Sequence, residues 1–92
     1  MATAFLIELP DMSSDQAAAV LQALDLGGKP PAGQVLHLEG PMEGGGTRVV
    51  DVWESPEALE TFIRERLGPI MLDLGVQPPQ PTLTWPVLAV LK

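Results

Sequence analysis

The chain of 92 residues has no cysteine and a single histidine. The first absence excludes a disulfide framework, and the second leaves any zinc site resting on carboxylates alone, so neither staple is expected and no metal is assigned. Basic residues are scarce as well: five Lys and Arg stand against twelve Asp and Glu, a formal net charge of −7. Phosphate recognition depends on clustered cations, so nucleic acid and anionic lipid are not expected partners. Tyrosine is missing, which leaves two Trp and two Phe to build any aromatic surface. Long apolar runs are missing too. The longest, Trp85 to Leu91, is interrupted by Pro86 and falls far short of the roughly 20 residues that cross a bilayer. The N-terminal stretch Ala4 to Ile7 is stopped by Glu8, without a basic leader or a following cleavage site, so no targeting segment is read. The expectation is a soluble protein of the reducing cytoplasm, with no membrane partner and no cofactor.

What is abundant is apolar surface. Hydrophobic residues make up 46% of the chain, too much for a disordered segment and more than one small core needs. Residues 1–92 are read as a single domain, and a domain of this size buries a limited share of its surface. With disulfides and metal excluded, self-association is the remaining common source of stability.

Thr3 to Leu9 reads as a strand with Phe5, Ile7 and Leu9 on one face and Ala4, Leu6 and Glu8 on the other, ended by Pro10. Ser13-Ser14-Asp15-Gln16 fits a capping box, and Ala17, Val20, Leu21 and Leu24 then recur at helical spacing until Gly27-Gly28 close the helix. Gln34 to Glu39 and Thr47 to Glu54 form a hairpin, the first strand terminated by Gly40-Pro41 and the connection carried by Gly44 to Gly46. Ser55-Pro56-Glu57 opens a second helix with Leu59, Phe62, Ile63 and Leu67 as its buried stripe, and Gly68-Pro69 should break or kink it. Thr82 to Leu91 is the last strand; Pro86 places it at a sheet edge or a bulge.

The order βαββαβ predicts an α+β fold of ferredoxin-like type, a four-stranded antiparallel sheet with two helices on one face. The uncovered face would carry Leu6, Val35, Val49, Trp53 and Trp85. So much apolar surface predicts a homodimer, since burial contributes roughly 25 cal/mol per Å².

At Asp51-Val52-Trp53-Glu54-Ser55-Pro56-Glu57-Ala58-Leu59, followed by Phe62, the chain resembles the dimeric α/β barrel superfamily, and within it small proteins related to antibiotic biosynthesis monooxygenases. The resemblance implies two ferredoxin-like sheets packed face to face, with a pocket between sheet and helices in each subunit. Members related to the monooxygenases often carry a His in the second helix, where this chain has Phe62. The resemblance therefore supplies no catalytic residue at that point.

His37 is the one side chain that ordinarily titrates near neutrality. If hairpin partners sum to 88, His37 lies opposite Asp51 and Val35 opposite Trp53. Asp51 would then orient the imidazole as a general base, with Trp53 as an apolar wall. The plainer reading is a His–Asp pair that satisfies its own polarity inside an interface. Glu8, Glu39 and Asp51 would approach one another if their strands share a face, with Arg48 and Arg64 as counterions. Trp53, Trp85, Glu8 and Phe62 are the candidate ligand contacts. Two functions follow: a homodimeric binding or accessory protein for a small apolar molecule, or a cofactor-independent oxygenase or isomerase with His37 as base.

Overall fold

The computed structural model describes residues 2–91. Its elements follow the expected order: β1 (Thr3–Leu9), α1 (Ser14–Leu24), β2 (Gln34–Pro41), β3 (Thr47–Trp53), α2 (Pro56–Phe62), a π-helical turn (Ile63–Leu67), α3 (Gly68–Asp73) and β4 (Pro81–Pro86). The strands form one antiparallel sheet in the order β2-β3-β1-β4. With α1 as the first helix and residues 56–73 as the second, this is the ferredoxin-like α+β plan. β4 is an edge strand, the position that Pro86 requires; its bulge, against Leu6 and Ile7, lies at the far end from Pro86, which stands opposite Thr3.

Local chemistry accounts for the helix ends. The Ser13 hydroxyl accepts from the Gln16 N–H (3.1 Å) while the Ser13 N–H donates to Gln16 Oε1 (2.9 Å), a complete capping box. Ser55 accepts from the Ala58 N–H at 3.1 Å. The other end of α1 differs from expectation. Its left-handed cap is Asp25, at φ 52°, and Gly27 and Gly28 belong to the turn beyond it; a short polar side chain tolerates that region.

Gly68-Pro69 does not break the second helix. Over Ile63–Leu67 the helix widens to π geometry, and the Gly68 N–H reaches back to Ile63 O. Pro69, which has no N–H to give, sits where the helix returns to α register, so its missing donor falls at the change of ladder. The approach is close: a Cβ on Gly68 would stand 2.7 Å from Ile63 O.

Two apolar clusters make the core. Phe5, Ile7, Val49 and Trp53 of the sheet pack under Leu59 of α2, and Ala17, Val20 and Leu24 of α1 pack with Met12, Met71 and Val76. Leu9 and Phe62 belong to the margin of both. Thus α2 covers the middle of the sheet, whereas α1 leans on α3.

The ladders assign every strand residue to a face, because directly paired residues share one. Beneath the helices lie the rows His37–Asp51–Phe5–Thr84 and Glu39–Val49–Ile7. On the opposite face lie Leu36–Val52–Ala4–Trp85 and Leu38–Val50–Leu6–Leu83, followed by Gly40–Arg48–Glu8. The uncovered face is apolar as expected, but its membership changes. Leu6 and Trp85 are there; Val49 and Trp53 are buried under α2. Val35 falls at a bulge between Gln34 and Leu36, so Gln34 and not Val35 pairs with Trp53.

Two strand ends also differ. β2 continues through Gly40-Pro41 because it is the outer strand of its hairpin and the proline lies at its very end. β4 stops at Pro86; the Val87 N–H then turns to Ala2 O (2.9 Å), and Leu88 and Leu91 are almost fully exposed.

Candidate functional site

Because α1 leans on α3, the helical side of β2 is left without a lid, and an open cavity of about 740 Å³ lies there. Its walls are apolar, supplied by Ile7, Met12, Val20, Leu24, Val49, Phe62 and Met71. Its solvent side is formed by Gln22, Asp25 and Lys29 from the end of α1 and the loop after it. A polar cluster, His37, Glu39 and Asp51, faces these walls from the strands, and Gln34 of β2 also belongs to the lining. Volume and lining suit a small organic molecule.

The polar group is built by strand periodicity. His37 and Glu39 are two residues apart on β2 and therefore side by side, and the register sets His37 opposite Asp51 on β3. His37 Nδ1 lies 2.6 Å from Asp51 Oδ1, and His37 Nε2 lies 2.7 Å from Glu39 Oε1. A neutral imidazole donates only one N–H, so two facing carboxylates are both satisfied only by the imidazolium. Consistent with this, hydrogen bonding to Asp51 and then to Glu39 outweighs burial and raises the His37 pKa from 6.5 to about 9. Behind the pair, the Trp53 Nε1–H donates to Asp51 Oδ2 at 3.1 Å. Trp53 is fully buried and its ring rests on Phe62, with centroids 5.3 Å apart.

The sequence-derived candidates are thus sorted by face. His37, Asp51 and Phe62 line the cavity. Trp53 is one layer deeper: it holds Asp51 in place and is not among the cavity walls. Glu8 and Trp85 lie on the uncovered face, so neither meets His37, and the two Trp residues cannot sandwich one ligand. Glu8 pairs with Arg48 at 3.0 Å. Glu39, expected near Asp51 and Glu8, shares its face with Asp51 but not with Glu8, and is the second close partner of His37, as the two-residue spacing on β2 allows. The contribution of α1 and the following loop had no such signal, since it arises from how two helices lean together.

As a proton acceptor His37 is poorly prepared. With a pKa of about 9 it is neutral in only about 1% of molecules at pH 7, and both nitrogens already face carboxylates. The arrangement instead presents a fixed charge cluster at the end of an apolar chamber. Among the described residues no three His, Asp or Glu side chains are disposed to hold a metal ion, and no helix is long and apolar enough to cross a membrane. The chain matches no family model, no curated protein and no solved structure.

Proposed function

We propose that the chain is a homodimeric binding protein of the cytoplasm that holds a small, mainly apolar molecule between α1 and β2, the two subunits joined through their uncovered sheet faces as in the dimeric α/β barrels it resembles. The observation that carries the binding reading is the open, apolar-walled cavity with a single polar cluster. A cavity of this size lined by aliphatic side chains loses contacts when empty, and filling it with an apolar body restores them. The saturated hydrogen bonding of His37 favours holding a ligand over abstracting a proton from one. The exposed Leu38, Leu83 and Trp85 of the far face support the dimer.

The test of binding is native mass spectrometry of the purified protein, with solvent extraction of whatever it carries, followed by a thermal-shift screen of small apolar compounds. Retention of an organic molecule, or a rise in melting temperature that Val20→Trp abolishes by filling the cavity, is the expected result. A protein that carries nothing and responds to none of the compounds would sink the proposal.

A further inference from the structure

The cavity carries charged groups as well as apolar walls. It is lined by three carboxylates, Asp25, Glu39 and Asp51, against two cations, His37 and Lys29. Both N–H groups of the His37 ring are directed at carboxylates, so no donor remains there for an incoming anion. Asp51 is used on both oxygens, by His37 and by Trp53. Glu39 is used on one: its second carboxylate oxygen has no hydrogen-bond partner among the described residues. The ring thus offers no free donor while Glu39 keeps a free acceptor, and since the lining holds one more carboxylate than cations, the charge that best complements it is positive.

Resting on the binding reading above, we infer that the ligand is a largely apolar molecule bearing one protonated amine, whose ammonium donates to the second oxygen of Glu39 while its carbon body fills the space between α1 and β2. A charge-assisted hydrogen bond to a carboxylate is about twice as strong as a neutral one. A carboxylate-bearing ligand reaching that end would instead place its charge beside Glu39 and Asp51, with both His37 N–H groups already engaged. The groups facing His37 are Asp51 of β3 and Glu39 of β2, with Asp25 and Lys29 at the solvent side of the cavity.

Three probes with the same carbon body separate the possibilities: decylamine, decan-1-ol and decanoate, each titrated by calorimetry at pH 7 below its aggregation threshold. The amine is expected to bind about tenfold or more tightly than decanoate, a difference of about 1.4 kcal/mol. Glu39→Gln should collapse that preference while leaving decan-1-ol unchanged. Glu60→Gln, an exposed charge on α2 outside the cavity, should leave the preference intact. The imidazole NMR signals of the single histidine should shift with decylamine and report binding beside His37. If decanoate binds as tightly as the amine, or if Glu39→Gln and Glu60→Gln weaken the amine equally, the inference is overturned while binding of decan-1-ol leaves the cavity reading standing. If none of the three binds, both fall together.

Discussion

His37 concentrates the chemistry of this molecule at the scale of one side chain. Its ring is 29% exposed and bridged by two carboxylates at 2.6 and 2.7 Å. A histidine whose folded pKa lies above its unfolded value binds protons more tightly in the native state. The stability it contributes is fully present below about pH 6.5, declines as pH rises from there and is gone above about pH 9. One pKa unit corresponds to 1.36 kcal/mol, so the ceiling is about 3 kcal/mol, and solvent at the partly exposed ring lowers it. Urea denaturation at pH 6 and pH 9.5 should show wild type losing about 1–3 kcal/mol more than His37→Gln. A pH titration followed by the imidazole NMR signals should find the His37 pKa falling by about a unit or more in Asp51→Asn, because Asp51 is the largest cause of the shift. Trp53→Phe removes the N–H that Asp51 Oδ2 accepts and leaves a buried carboxylate oxygen without its donor. That should cost about 1–3 kcal/mol in the same denaturation experiment.

The second helix decides where the cavity lies. Its π turn adds a residue to one turn, and the Arg66 carried on that turn donates from Nη2 to Leu24 O, the last residue of α1, at 2.8 Å. This bond satisfies a C-terminal carbonyl that a helix leaves without an internal partner. It also ties α1 to the second helix and away from β2. Arg66→Ala should leave the fold intact and loosen the end of α1, read as faster amide hydrogen exchange around Leu24 and Asp25 with little change at the sheet. Gly68→Ala acts on the turn itself. Its new methyl would press on Ile63 O at 2.7 Å, and relieving the overlap should cost about 1–3 kcal/mol, measured as a lowered urea midpoint. The opposite result, unchanged stability, would mean that the π turn relaxes freely to α geometry.

At the scale of the whole molecule, the proposed association rests on the face without helices. Leu38, Leu83 and Trp85 are 56, 58 and 42% exposed there, and Arg48 and Glu8 close one end with an ion pair. Apolar burial contributes roughly 25 cal/mol per Å², against which association costs several kcal/mol. Only a contact spanning both apolar rows offsets that cost. Sedimentation velocity should therefore find a dimer at micromolar concentration that Leu38→Lys converts to monomers. The proposed ligand site lies on the other side of the sheet, so binding there should persist in that monomer. A single-subunit species for the unaltered protein at high concentration would remove the dimer from the proposal.

What the amino-acid order determined by itself is whatever depends on neighbours in the chain. The helix caps, the alternation of strands, the βαββαβ succession and the His37–Asp51 register all follow from contacts a few residues apart or across one tight hairpin. Even Pro86 announced its edge strand, since a missing N–H is a local fact. Which face of each strand the helices would cover is not local. Alternation divides Val49 and Trp53 from Val50 and Val52 without saying which set is inside, and both sets are apolar enough to serve. Only the leaning of α1 on α3, and of α2 on β1 and β3, settled that Trp53 lies beneath Asp51 while Trp85 faces outward. The cavity follows from the same choice: helices of fixed width that pack on each other leave the helical side of β2 uncovered.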